Sequence, residues 1–267
     1  MKSSGDGQGA IDTSKPHPAR MYDYYLGGKD SYPVDWEAAE QAIAFLPGIK
    51  EGARANRAFM QRASRLLAGL GVRQYLDIGT GIPTEPNLHQ VVQQAVPDAR
   101  VVYVDNDPIV LRHAEALLRG TPEGRTEYLQ ADVRDVDKII EGAREILNFD
   151  RPVALSMVAL LHFVSDEYDP RGLVRRLLEP LAPGSYLMLS HATGDFDPEA
   201  WARVIKIYRD SGVPAQVRSW AEFATFFSGL ELIGPGVELV SRWYPEPGDQ
   251  YSGNDRIPVY VGVARKT

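Results

Sequence analysis

From Arg73 onward, apolar runs of strand length alternate with segments whose apolar positions recur at helical spacing. Strands are predicted at 75–78, 101–104, 126–129, 153–157 and 186–190, with helices at 87–95, 109–119, 136–147 and 172–181 between them. Two further helices are expected at 198–211 and 219–227. Then 237–241 and 259–264 read as strands joined by a long Pro/Gly loop. Repeated β-α units close by right-handed crossovers and build a parallel sheet. The last pair has no crossover helix, so it is expected to be antiparallel, at one edge. The predicted fold class is α/β: a doubly wound, mostly parallel, seven-stranded Rossmann-like sheet with an antiparallel last strand.

Upstream the pattern is helical. Asp35 is a candidate cap for a helix with Trp36, Ala39, Ile43 and Leu46 on one face, stopped at Pro47-Gly48. A second helix runs from about Ala53 with Phe59, Ala63, Leu66 and Leu70 in phase, and Gly71 ends it. Residues 20–72 therefore read as a helical cap or lid that forms one structural unit with a domain spanning 73–267. Residues 1–19 are mostly Gly, Ser, Asp and Pro with no apolar run, and read as a disordered tail rather than a secretory signal.

Composition narrows the partners. At 44% hydrophobic residues over 267 positions, the chain can bury a sizeable core. A net charge of −7 argues against a nucleic-acid backbone or an anionic membrane as main partner, since both need clustered Lys and Arg. With no cysteine, disulfides, thiolate metal sites and a Cys nucleophile are excluded. No apolar run approaches the ~18 residues of a membrane span. A cytoplasmic location fits these numbers.

The chemistry concentrates in Tyr75-Leu-Asp-Ile-Gly-Thr-Gly-Ile-Pro-Thr84. A short strand runs into Gly79-Thr80-Gly81, where two glycines let the backbone approach a ligand that a Cβ would push away. Asp77 stands just before them. A helix and a strand later, Val101-Val-Tyr-Val-Asp105 ends in a carboxylate suited to two ribose hydroxyls. A pyrophosphate-binding turn needs a third glycine and the N–H groups of a helix start. Here Thr84 occupies that position, and Pro83, which has no N–H, precedes it. Asp77 and Glu85 flank the glycines with negative charge. A ligand with a ribose and a cationic amine fits better than a dinucleotide. S-adenosylmethionine is such a ligand, its ammonium and sulfonium matched to Asp77. The plain alternative is a tight strand-to-helix turn that binds nothing.

The element order resembles that of the class I S-adenosylmethionine-dependent methyltransferases over roughly residues 73–265. A narrower likeness rests on Pro18-Ala-Arg-Met-Tyr-Asp-Tyr-Tyr-Leu-Gly-Gly-Lys-Asp30, Asp35 and Asn56-Arg57. It continues through Leu76-Asp-Ile-Gly-Thr-Gly-Ile-Pro-Thr84, Val104-Asp-Asn-Asp-Pro108 and Asp132-Val-Arg-Asp135. In these the chain is similar to the actinobacterial S-adenosyl methyltransferase family formerly called DUF574. The resemblance implies that Asp77, Gly79, Thr80 and Gly81 surround the methionine end of the cofactor. It implies that Asp105 takes the ribose hydroxyls, Asn106 lies along the adenine, Asp132 accepts from the adenine amine and Val133 packs on the ring. Ser156 and Met157, ending the fourth strand, are then expected near the methyl sulfonium. Pro83 departs from the wider class, where a third glycine is common, and is read as a variant turn of the narrower family.

The N-terminal motif has its own reading. Arg20, Tyr22, Tyr24 and Tyr25 precede Gly27-Gly28-Lys29. Aromatic rings can cover an adenine or a flat substrate, and Arg20 or Lys29 can meet the cofactor carboxylate. The other reading is an aromatic plug that packs the cap onto the sheet.

Methyl transfer requires a positioned acceptor and, for a hydroxyl, a proton acceptor. His162 and His191 follow the fourth and fifth strands and are the candidate bases. His191 is favoured, and His162, beyond apolar residues 158–161, is expected to be packing. His89 and His113 fall on helices and are expected to face solvent, and the five histidines have no metal-ligand spacing. The Asp/Asn-Pro-Pro-aromatic run of nucleic-acid amino methyltransferases is replaced by Ser156-Met157-Val158-Ala159. Trp201, Tyr208, Trp220, Phe223, Phe226 and Phe227 are candidates for an acceptor-pocket wall or for core. The leading expectation is O- or N-methylation of a small molecule, with S-adenosyl-L-methionine as cofactor. The competing readings are a non-catalytic regulatory protein that keeps the cofactor site and a nucleotide-linked oxidoreductase, the latter disfavoured by Pro83 and Thr84.

Overall fold

Strands covered on both faces bury nearly every residue, and here they do: β1 (Gln74–Ile78), β4 (Ala154–Met157) and β5 (Tyr186–Ala192) have no exposed position. The computed structural model describes residues 12–110, 120–247 and 257–267. With β2 (Arg100–Asp105) and β3 (Arg125–Gln130) these strands form a parallel sheet. The strand β8 (Val259–Arg265) then pairs antiparallel with β5. The short strands β6 (Glu231–Leu232) and β7 (Glu238–Leu239) both pair antiparallel with β8, so the order along the sheet is β3-β2-β1-β4-β5-β8-β6 with β7 off the path.

The predicted alternation is present, with adjustments. The final pair lies antiparallel at one edge of the sheet as expected, but that edge is completed by two short strands, β6 and β7, on the outer side of β8. The strand expected at 237–241 shrinks to Glu238–Leu239, and β6 carries no pattern long enough to read. Most of the helix expected at 109–119, including His113, lies outside the described residues, as does most of the loop before β8.

Adjacent side chains of a strand point to opposite faces, so Tyr75 and Leu76 enter different cores. Tyr75 joins Phe59, Leu67, Val92, Tyr103 and Trp243 beneath α3 (Ile49–Gly69) and α4 (Leu88–Ala95). Leu76 joins Ile139, Leu155, Leu177 and Phe223 beneath α5 (Val136–Arg144) and α6 (Pro170–Leu178). His89, expected in solvent, is fully buried: its Nδ1 lies 2.9 Å from the Tyr103 hydroxyl, because its side of α4 faces the sheet.

The cap has a separate core. Met21 and Tyr25 of α1 (Pro18–Leu26) and Ala39 and Ala42 of α2 (Pro33–Phe45) pack with Trp201, Val204 and Tyr208 of α7 (Pro198–Asp210). Small residues let α2 come close, and the bulky Trp36 predicted on that face is instead 42% exposed. Asp35 caps α2 from inside its first turn, Oδ2 accepting from the Tyr32 N–H at 2.8 Å, so the helix starts at Pro33.

Order extends further toward the N-terminus than the expected tail. Helix α1 begins at Pro18, with His17 Nδ1 accepting from the Ala19 N–H at 3.3 Å. Arg20 holds the preceding chain by donating to the carbonyls of Asp12 (3.1 Å) and Lys15 (2.8 Å). Residues 1–11 lie outside the described residues.

Candidate active site

The carboxyl ends of β1, β2, β3 and β4 open into a cleft of about 360 Å³, covered by the start of α1 through His17, Pro18, Ala19 and Tyr22. Gly79 and Gly81 turn the chain away from β1 with φ of 74° and 68°, the left-handed region that favours glycine. A Cβ on Gly79 would come within 2.7 Å of Leu160 Cδ1, whereas a Cβ on Gly81 would meet only open space. The bend is pinned by the Gly79 and Thr80 amides donating to Val104 O. Residues 82–87 separate Gly81 from α4, which starts only at Leu88 with Asn87 as its cap. The helix N-terminus a pyrophosphate would use is therefore remote from the glycines.

Asp105 stands at the tip of β2, 7% exposed and lining the cleft. Its Oδ2 accepts from the Gly81 N–H at 2.7 Å and its Oδ1 from the Asp107 N–H at 3.0 Å, while burial pushes its pKa up. Asp77 also lines the cleft, and burial raises its carboxyl to about 6. Asp132 accepts from Arg134 Nε at 2.7 Å and from Asn106 Nδ2 at 3.3 Å, and the arginine holds it below the usual carboxylate range. Arg134 in turn lies 4.8 Å from the centre of the Tyr168 ring, and both line the cleft beside Val133.

Two expected site residues lie elsewhere. Arg20 is 2% exposed and absent from the cleft wall, its Nε 3.2 Å from Asp35 Oδ1. Lys29 is exposed, and Gly27-Gly28 form the C-cap of α1, where a Cβ on Gly28 would strike the Asp23 carboxylate. The cation that does line the cleft from the cap is Arg57 of α3. Its Nη2 donates to the carbonyls of Thr84 and Pro86, tying the glycine loop to α3, and its Nε is buried without a partner. Ser156 and Met157 are fully buried one step too deep, and the wall beyond β4 is Val158, Ala159 and Leu160.

A sequence profile of the S-adenosyl methyltransferase family matches residues 4–267. The chain belongs to this family. It is an S-adenosylmethionine-dependent methyltransferase by that membership. A DUF574 family protein from Streptomyces avermitilis MA-4680 superimposes with a TM-score of 0.94 at 48% identity, covering 97% of this chain and 100% of that one. A candidate methyltransferase from Thermobifida fusca YX follows at 0.87 and 40%, covering 96% and 97%. The mitomycin 7-O-methyltransferase MmcR, at 22% identity and a TM-score of 0.51, shares the fold over 94% of this chain and 74% of its own. No curated protein matches the sequence.

In this methyltransferase a second, apolar cavity of about 90 Å³ adjoins the cleft between the cap and α7. The two share Pro18, Tyr22, Ala159 and Phe163 as walls. Ala159 has a φ of 58°, strained for a residue with a Cβ, and its N–H donates to Ser190 Oγ at 2.8 Å. His162, Trp201 and Tyr208 line this cavity. Phe223, Phe226 and Phe227 are core on the other side of the sheet, and Trp220 is 49% exposed.

The two candidate histidines differ sharply. His191 is 1% exposed and lines neither cavity. Arg218 Nη1 donates to its Nε2 at 2.8 Å, so Nδ1 carries the proton and donates to Ala192 O at 2.7 Å. Burial holds its pKa well below the ordinary value. His162 lines the apolar cavity with its Nδ1 buried and unpartnered, and burial lowers its pKa to about 3.

Proposed function

We propose that this protein methylates a small molecule at oxygen or nitrogen, with S-adenosyl-L-methionine in the larger cleft and the acceptor reaching it past Ala159 and Phe163. The cofactor supplies a methyl carbon on a sulfonium; the acceptor–carbon bond forms as the sulfur–carbon bond breaks, the electron pair stays on sulfur, and a hydroxyl acceptor loses its proton.

The residues present fit this cofactor. Asp105 has carboxylate lone pairs beyond its two backbone bonds for the ribose hydroxyls, and Gly81 leaves open the space a Cβ would fill. Asp77 and the Gly79–Gly81 turn would hold the ammonium end. Arg57, rather than Arg20, would meet the carboxylate, its buried Nε being without a partner. Asn106, Asp132 and Val133 would flank the adenine. Ser156 and Met157 would shape the floor from below, since neither reaches the cleft surface. Of the two histidines His162 is the one that can accept a hydrogen bond from the acceptor, since it lines the acceptor side and both nitrogens of His191 are already engaged. Burial that lowers it to about 3 makes it a weak base, so its part would be to orient the hydroxyl. Tyr22, whose hydroxyl donates to Ala53 O at 3.1 Å, would separate cofactor from acceptor as a wall of both cavities. Among the described residues no helix is long and apolar enough to cross a membrane.

The observation that carries this reading is Asp105, a buried carboxylate at a strand tip bonded to the glycine turn it faces. Charge-assisted bonds to two hydroxyls are worth roughly 2–4 kcal/mol together. Asp105→Ala should weaken S-adenosylhomocysteine binding at least about tenfold in calorimetry with circular dichroism unchanged. Equal affinity in the folded variant overturns the assignment. Incubation with a metabolite extract, read by mass spectrometry for products gaining CH₂, then separates an enzyme from a protein that only binds the cofactor.

A further inference from the structure

The apolar cavity has a short inventory of polar groups. None of its lining residues is Asp, Glu, Lys or Arg. The tyrosines are satisfied within the protein: the Tyr25 and Tyr208 hydroxyls lie 3.3 Å apart, and the Tyr22 hydroxyl donates to Ala53 O. Asn56 Nδ2 donates to that same Tyr22 hydroxyl at 3.0 Å. What remains buried and unpartnered along this wall is Asn56 Oδ1, His162 Nδ1 and Trp201 Nε1. A buried polar atom left unpaired costs about 1–3 kcal/mol. The three orphans come from three different elements, α3, the turn after β4 and α7, each of which lines this cavity.

Their chemistry is complementary. The indole N–H only donates, the amide oxygen only accepts, and a neutral imidazole nitrogen does either according to tautomer. Asn56 and His162 lie toward the shared mouth: Asn56 bonds Tyr22, and the His162 ring is 4.3 Å from that of Phe163, both mouth residues. Trp201 enters from α7 on the cap side.

We propose that this cavity is the acceptor chamber and that it selects a compact, uncharged, mostly apolar alcohol or phenol with a second hydrogen-bond acceptor. This rests on the cofactor reading above. The reacting hydroxyl donates to His162 Nδ1 at the mouth, beside Asn56, and the second oxygen takes the Trp201 N–H. A charged acceptor is rejected because nothing in the wall pairs with it, and burying an unpaired charge is strongly unfavourable. The volume of about 90 Å³ sets the size of the buried part. An apolar cavity of about 150 Å³ holds a benzene ring, so the acceptor's body is a single small ring with its reacting edge protruding into the cleft.

The test uses the full chain saturated with S-adenosylhomocysteine and three probes of one size: 2-methoxyphenol, benzoate and benzylamine. Binding is measured by ligand-observed NMR. The expected result is a dissociation constant for 2-methoxyphenol at least about tenfold below those of both charged probes. Val204→Trp, which fills the chamber from a position outside the cleft, should abolish 2-methoxyphenol binding and leave S-adenosylhomocysteine affinity unchanged. Trp201→Phe, removing only the donor and keeping the ring plane, should weaken it several-fold. The proposal is overturned if a charged probe binds as well as the phenol, if the phenol does not bind the loaded protein, or if both variants bind it normally. A wild-type chain that fails to bind S-adenosylhomocysteine overturns the cofactor reading first, and this proposal with it.

Discussion

Arg20 Nε lies 3.2 Å from Asp35 Oδ1, with both side chains buried. The same carboxylate accepts from the His17 N–H and the Tyr32 N–H, each at 2.8 Å. One acid thus joins the entry to α1, the start of α2 and the chain that covers the cleft. This is the work done by the arginine that the sequence offered as a cofactor ligand.

Removing one member of a buried ion pair costs about 3–5 kcal/mol because the other is left uncompensated. Arg20→Met should therefore lower unfolding free energy by about that much and also loosen S-adenosylhomocysteine binding, since His17, Pro18 and Ala19 wall the cleft. Chemical denaturation and calorimetry on one preparation check both. Weakened binding at unchanged stability would instead return Arg20 to the cofactor.

The second prediction concerns pH. Burial raises Asp77 to about 6 in the empty protein, with Ser156, Arg57, Thr80 and Asp105 as its polar and charged neighbours. A ligand whose ammonium needs the ionised carboxylate must displace a proton below that value. Affinity for S-adenosylhomocysteine should be level above pH 6 and fall by up to about tenfold per unit below it. Asp77→Asn should bind more weakly at neutral pH and flatten the dependence. Stability of the empty protein moves the other way. Because the folded value exceeds the unfolded one, the contribution of Asp77 is fully present below pH 3.8 and is lost as pH rises through about 6. A calorimetric pH series on both proteins decides it, and identical profiles would remove Asp77 from the ammonium site.

The third separates the two ends of the cofactor. If Arg57 meets the carboxylate, Arg57→Gln should weaken S-adenosylhomocysteine by roughly 2 kcal/mol. Adenosine, which has no carboxylate, should bind both proteins alike. Equal losses for the two ligands would show that Arg57 acts only by tethering the loop through Thr84 and Pro86.

The strands and the glycine turn were legible because a strand buried on both faces leaves a continuous apolar run. Helix periodicity gave phase but not extent: Trp36 and Leu70 fit the apolar stripe yet are 42% and 55% exposed, since the partner surface ends before them. A two-residue strand such as β6 has no period to detect. At the end of β4 the cleft surface is formed by Val158, Ala159 and Leu160, with Ser156 and Met157 beneath it, because the pattern does not reveal where a strand stops and its turn begins. Arg57 lay in view beside Asn56, but only the fold shows that α3 passes the glycine loop. The state of His191 was unreadable for a similar reason, its partner Arg218 being 27 residues further along.

Helix α3 faces the cleft with Arg57 and Met60 and the apolar cavity with Gly52, Ala53 and Asn56. Helix α7 faces the apolar cavity alone, through Trp201, Val204, Ile205 and Tyr208. A mutation on α3 thus reshapes the walls of both cavities at once, whereas one on α7 reshapes only one. Descendants of this scaffold that come to prefer different acceptors should therefore diverge along α7, with α3 changing last.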